Sequence, residues 1–167
     1  MANGGAVLSD AFERIRDGSL LVVDGLSHDD LSFRPSPNAN PIGWLVWHLT
    51  RSQDAQVAAV RGTEDLWTAQ GYAKQFALPY ADSATGYGQS SDEVGALQVD
   101  AEELAAYLRS VGEDTITYAS SLSDTDLDRV VDESWDPPIT LGVRMLSIAA
   151  DSLKHLGQAE YVRGILP

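Results

Sequence analysis

A carboxylate and an imidazole lie four residues apart in AADSLKHLGQAEYVRG, residues 149–164, where Asp151 precedes His155. Residues four apart in a helix share one face, so both side chains would point the same way. The apolar neighbours would bury that face, and burying a carboxylate is unfavourable unless it is paired or binds a cation. Three interpretations follow: an Asp151–His155 hydrogen-bonded pair, partial exposure at the edge of the helical core, or part of a metal site.

The sequence contains two further histidines, His28 and His48. His28 follows Ser27, a predicted helix cap, and we expect it to lie on the surface. His48 lies in PIGWLVWHLTRSQD, within a Trp-rich helical stretch. Two histidines and one carboxylate from two helices would form a three-ligand site with open positions for water or substrate. Helical bundles build metal sites in this way, so spacing suggests His48, Asp151 and His155 as ligands.

Composition restricts both the partners and the ligand types. The 11 Lys and Arg residues against 25 Asp and Glu residues leave a net charge of −14. This charge opposes binding to nucleic acid or to an anionic membrane surface. The sequence has no cysteine, which excludes disulfides, thiolate metal ligands and a cysteine nucleophile. It also lacks a signal-peptide core and any apolar run of about 20 residues, and we therefore expect a cytoplasmic protein.

The candidate ligands depend on four long helical segments for their positions. Apolar periodicity predicts helices over residues 7–26, 41–60, 92–122 and 140–165. Ser90 with Glu93 forms a capping-box pattern that predicts the start of the third helix. An aromatic-rich connection, residues 61–90, separates the second helix from the third, and we expect it to pack on the helices. We also expect Trp44, Trp47 and Trp135 to lie in the core or in a pocket wall.

The expected fold is all-α. It is a single domain over residues 1–167, built as a four-helix bundle with one long crossover connection between helices two and three.

The same stretches resemble the DinB-like superfamily, which includes the metal-binding domain of mycothiol-dependent maleylpyruvate isomerase. GLSHDDLSFRPSPNANPIGWLVWHLTRSQD, residues 25–54, resembles the segment in which a Trp-rich second helix supplies the first histidine ligand. DSLKHLGQAEYVRG, residues 151–164, resembles the C-terminal helix, in which a carboxylate or histidine precedes the final histidine by four. The resemblance covers nearly the whole chain, including the aromatic connection and the WDPP turn before the last helix.

The resemblance implies that His48, Asp151 and His155 are the metal ligands. Many members have histidine where this chain has Asp151, and the isomerase branch has glutamate. Because aspartate is shorter, the metal would lie closer to this helix or bind Asp151 through water. Two histidines and a carboxylate suit zinc, with nickel, manganese and iron as alternatives.

The resemblance also implies a low-molecular-weight thiol of the mycothiol type as cofactor. Arg51, one turn beyond His48, can bind a carboxylate of that cofactor or of a substrate, or pair with Asp54 or Glu64 on the surface. Gln158, one turn beyond His155, can orient a ligand or contribute only to helix packing.

The predicted function is therefore a metal-dependent enzyme that transfers the thiol to small electrophiles. The isomerase has a further C-terminal domain that this sequence does not include, which favours transfer over isomerisation. The alternative is a non-catalytic bundle that binds a metal or a small ligand. A homodimer is compatible with the superfamily, and the helical stripes leave it open.

Overall fold

The computed structural model describes residues 3–167 and is mainly helical, which confirms the all-α expectation. In chain order its elements are α1 (Gly4–Val23), α2 (His28–Ser32), α3 (Ile42–Arg61), α4 (Leu66–Ala69), α5 (Tyr72–Phe76), α6 (Ser91–Gly95), α7 (Ala101–Ser121), α8 (Asp124–Leu127), β1 (Val130–Asp132), β2 (Ile139–Thr140) and α9 (Leu141–Gly164). Within residues 3–167, no helix is both long and apolar enough to cross a membrane.

The four long helices α1, α3, α7 and α9 enclose the apolar core. Helix α1 packs on α7 and α9, and α3 packs on the same two helices. The start of α9 lies near the end of α3, because Arg129 accepts a hydrogen bond from the Leu141 amide and donates one to the Val60 carbonyl. Helices α3 and α9 therefore run antiparallel, which places the middle of one against the middle of the other.

The prediction of one continuous third helix over residues 92–122 is wrong, because the structure has two helices there, α6 and α7. The Ser90–Glu93 capping box is present, but it begins only the five-residue α6. The chain then becomes extended and buries Leu97 and Val99 in the core. Asp100 begins α7 by accepting a hydrogen bond from the Glu102 amide. A second cap and two buried apolar residues thus replace the continuous helix that periodicity predicts.

A short hairpin precedes α9 and was not expected from the sequence. Strands β1 and β2 pair antiparallel, and Thr140 at the end of β2 is the N-cap of α9. Asp132 of β1 forms an ion pair with Arg144 at 2.9 Å, which ties the hairpin to the first turn of α9. Trp135 lies between the strands and is 63% exposed, so the expectation that it belongs to the core or a pocket wall is wrong.

The connection between α3 and α7 is anchored by a buried carboxylate. Asp54 of α3 accepts hydrogen bonds from the backbone amides of Leu66 and Trp67 and from the hydroxyl of Tyr107. Burial raises the pKa of Asp54, while these three hydrogen bonds oppose that rise by favouring the carboxylate. Trp67 and Phe76 are buried beside this group, as expected of a connection that covers the helices.

The close approach of α1 to α7 depends on Gly5, and this leads to a first prediction. A Cβ at Gly5 would lie 2.7 Å from the carbonyl oxygen of Ala119 and would also overlap that of Leu122. Gly5→Ala should therefore lower the free energy of unfolding by about 1–3 kcal/mol. Urea denaturation followed by circular dichroism measures this change.

The matched control is Gly157→Ala in α9, where an added Cβ meets nothing within 4 Å. Because alanine favours a helix more than glycine does, this variant should gain up to about 1 kcal/mol. Equal effects of the two substitutions would contradict a packing role for Gly5.

Candidate metal centre

Three candidate ligands from two helices come together in the structure. His48 of α3 and Asp151 and His155 of α9 each offer a ligand atom, and these atoms lie within 4.8 Å of one another. The His155 Nε2 atom is 3.8 Å from Asp151 Oδ1, and the two imidazole rings are 4.7 Å apart at 83°. Across residues 3–167, this is the one such group of three or more His, Asp or Glu residues. The antiparallel packing of α3 on α9 thus assembles a candidate metal-binding triad.

Hydrogen bonds set which nitrogen of each imidazole is available. The Nδ1 atom of His48 is 2.5 Å from the Thr85 carbonyl oxygen, and a carbonyl can only accept, so Nδ1 carries the proton. The Nδ1 atom of His155 is 2.8 Å from Gln158 Oε1 in the same kind of contact. Both Nε2 atoms therefore keep a free lone pair. Metal-binding histidines in proteins are oriented by such contacts to their other nitrogen.

His48 is held inside the protein, whereas Asp151 reaches the surface. His48 is 7% exposed, and the Trp44 ring stacks on it at 4.7 Å and 12°. Burial lowers the pKa of His48, although the hydrogen bond to Thr85 partly opposes this effect. A lowered pKa keeps the imidazole neutral, which is the form that binds metals. The Asp151 side chain is 44% exposed, so the cluster is open to solvent on one side.

Residues 85–89 of the connection contact His48 and Trp44 and hold both rings in place. Gly86 has φ +92°, and a Cβ there would lie 2.7 Å from His48 Nδ1 and 3.0 Å from the Trp44 ring. Gln89 accepts a 2.7 Å hydrogen bond from the Trp44 indole nitrogen. These supporting residues were missed in the sequence, where the only signal is the glycine pair in GYG, residues 86–88.

The triad lines a cavity of about 560 Å³ between α3, α9 and residues 86–89. A larger groove of about 1150 Å³ lies between α1 and α7 and contains none of the candidate ligands. Its lining includes four acidic residues, Asp17, Asp24, Asp100 and Glu102. We assign the candidate function to the smaller cavity because the triad lies there.

Two further residues, Arg51 and Gln158, were expected beside the candidate ligands. Gln158 contacts His155, whereas Arg51 contacts residues outside the triad. The Arg51 side chain is 2% exposed, and its Nη2 atom is 2.9 Å from Asp65 Oδ2. Its guanidinium also lies over the Trp67 ring, 5.6 Å from the centroid. Residues three apart in a helix are offset by only about 60°, so helix geometry alone would allow Arg51 near His48, but its side chain instead contacts Asp65, the N-cap of α4. Its partner is Asp65, neither of the two acidic residues expected, Asp54 and Glu64.

Comparison with known proteins agrees with this architecture. The sequence profile of the DinB superfamily matches residues 11–159, and the chain belongs to this family. A similar solved structure is the conserved protein of locus from Enterococcus faecalis, with a TM-score of 0.90 and 26% sequence identity. That match covers 98% of this chain and 96% of the other. No curated protein matches this chain.

The support of His48 by residues 85–89 leads to a second prediction. Gly86→Ala places a methyl group against His48 and Trp44 at a positive φ, so it should lower the free energy of unfolding by about 2–5 kcal/mol. Gly88→Ala shares the positive φ of +77° but meets nothing within 4 Å. It should cost only about 1–2 kcal/mol. Urea denaturation compares the two, and equal losses would rule out the contact with His48 as the cause.

Proposed function

We propose that this protein binds one divalent cation through His48 Nε2, His155 Nε2 and a carboxylate oxygen of Asp151, within a four-helix bundle. The observation that carries the proposal is the meeting of three ligand atoms within 4.8 Å while both Nδ1 atoms are occupied elsewhere. Tetrahedral zinc with ligands at about 2.1 Å separates them by about 3.4 Å. The 3.8 Å separation of His155 Nε2 and Asp151 Oδ1 is close to that value, and the three ligand atoms, within 4.8 Å of one another, would move closer together around a metal ion.

The chemistry of the donors favours zinc over other metals. Two imidazoles and one carboxylate are ligands that zinc accepts readily, and nickel, manganese and iron bind similar sets. Three protein ligands leave at least one position open, which is typical of catalytic rather than structural zinc. The exposure of Asp151 gives a small molecule access to that position.

We further propose that the site activates a low-molecular-weight thiol for transfer to a small electrophile. A bound divalent cation lowers the pKa of a thiol or water that occupies its open position. The chain contains no cysteine, so the thiol would come from a separate molecule. In a displacement, the sulfur forms a bond to the electrophilic carbon as the bond to the leaving group breaks. The thiol proton and the leaving anion pass to solvent.

The proposed partners are small molecules and a second copy of the chain. The net charge of −14 opposes contact with nucleic acid and anionic membranes. Three exposed apolar residues on α9 support a homodimer. They are Val143, Leu146 and Leu153, with exposures of 55%, 61% and 47%.

The metal site leads to a third prediction, concerning metal content. Untagged protein should contain close to one divalent metal per chain by inductively coupled plasma mass spectrometry. His48→Ala, Asp151→Asn and His155→Ala should each lose most of it, because each variant removes or weakens one of only three protein ligands.

The control for metal content is His28→Ala, which removes an exposed histidine that contacts Gln98 and lies outside the triad. It should retain the metal. A parent protein that binds no zinc, nickel or manganese after incubation would contradict the proposed site and leave Asp151 and His155 as a structural pair.

A fourth prediction concerns thiol transfer. Metal-loaded protein should accelerate the reaction of a low-molecular-weight thiol with 1-chloro-2,4-dinitrobenzene, while metal-free protein and metal-depleted Asp151→Asn should not. The rate is followed by absorbance of the thioether. Full metal occupancy without acceleration for a panel of thiols and electrophiles would favour a non-catalytic metal-binding protein.

A further inference from the structure

A row of residues on α3 places the candidate ligand His48 between two chemically different regions. Trp44, His48, Ser52 and Gln56 are four residues apart in turn, so they form one stripe along the helix, and all four line the 560 Å³ cavity. Trp44 lies one turn before His48, whereas Ser52 and Gln56 lie one and two turns after it. The cavity therefore extends from the triad in two directions.

The first direction leads to an uncharged polar end, formed by Ser52, Gln56 and Ser147. Ser147 lies one turn before Asp151 on α9, and the antiparallel packing brings this turn toward Ser52 and Gln56. The Gln56 amide nitrogen donates a 3.1 Å hydrogen bond to the Ser52 hydroxyl. This arrangement leaves the Gln56 carbonyl oxygen and the Ser52 hydroxyl proton for a ligand.

The second direction leads to an aromatic end, where Trp44, Tyr87 and Val94 line the cavity beside the polar residues Asn40 and Gln89. Tyr87 is 93% exposed although it borders the cavity. It lies between Gly86 at φ +92° and Gly88 at φ +77°, two conformations that glycine adopts readily. An aromatic ring so exposed buries little area in the protein itself, and it is available to stack on a flat ligand.

Within residues 3–167, the cavity lining lacks the basic side chains that are typical of an anion-binding site. Among the lining residues of the described chain, Asp151 is the one carboxylate and there is no lysine or arginine. The polar end, as the described residues form it, has no lysine or arginine that could replace the hydration lost by an anionic group, so binding of such a group there is unfavourable.

We infer that the cavity binds two ligands on opposite sides of the triad, an uncharged thiol at the polar end and a flat apolar electrophile at the aromatic end. The inference rests on the proposed function and deepens it, because it assigns each reactant to named residues. Ser52, Gln56 and Ser147 position the body of the thiol, and Tyr87 covers the electrophile. Both reactants then meet beside His48, Asp151 and His155.

The thiol side is tested with cobalt-loaded protein, because a thiol that binds cobalt produces a charge-transfer absorbance independent of turnover. The probes are 2-mercaptoethanol and 2-mercaptoethanesulfonate. They share the mercaptoethyl group, but the first ends in a hydroxyl and the second in a sulfonate. Half-saturation should require about tenfold less of the uncharged thiol, because the sulfonate would lose hydration without a basic partner. The double variant Ser52→Ala, Gln56→Leu should raise half-saturation for 2-mercaptoethanol about fivefold while cobalt content stays unchanged.

The aromatic side is tested with 1,3-dinitrobenzene, an unreactive flat probe whose binding quenches tryptophan fluorescence. Tyr87→Ala should weaken this binding about fivefold and leave 2-mercaptoethanol binding unchanged. The matched control is Tyr161→Ala, which removes a tyrosine that is 69% exposed on α9 and does not line the cavity. It should change neither measurement.

The outcomes separate this inference from the metal proposal. If the parent protein binds no cobalt, the metal site and the inference both fail. If cobalt binds but the two thiols bind equally, or Tyr87→Ala binds the flat probe as the parent does, the inference alone is overturned.

Discussion

The antiparallel packing of α3 on α9 is the constraint on which the rest of the site depends. It brings His48 against His155, with the centroids of their rings 4.7 Å apart. The positions of the two helices are by themselves enough to produce this contact. Asp151 and His155 share a face because they are four apart on one helix, but His48 joins them only across this interface. The hairpin before α9 supplies its N-cap, Thr140, and holds its first turn through the ion pair between Asp132 and Arg144.

The connection between α3 and α7 completes the site rather than merely joining two helices. One part is anchored by Asp54, which satisfies two backbone amides and the Tyr107 hydroxyl. A later part supplies the Thr85 carbonyl and Gly86 directly behind His48. Burial and a proton on Nδ1 favour neutral His48 with Nε2 free, which is the form that the proposed metal site requires.

The two sides of the cavity differ because α3 changes character along a single stripe. Trp44 precedes His48 on this stripe, and Ser52 and Gln56 follow it, while Asp151 of α9 is the one carboxylate that residues 3–167 contribute to the lining of this cavity. Membership in the DinB superfamily is consistent with the helical fold. The stripe and the exposed Tyr87 are features of this chain that bear on what it binds.

The long helices, the cysteine-free donor set and the shared face of Asp151 and His155 were all predictable from the sequence, because helical spacing and side-chain chemistry are local properties. The same local rules predicted a single helix over residues 92–122, where the structure has α6 and α7. Apolar periodicity does not reveal that Leu97 and Val99, between these two helices, are buried in the core. Three contacts could not be predicted in this way: Arg51 pairs with Asp65, Thr85 orients His48, and Tyr87 borders the cavity. These contacts join residues from elements separated in the chain, and their partners depend on how the helices and the long connection pack.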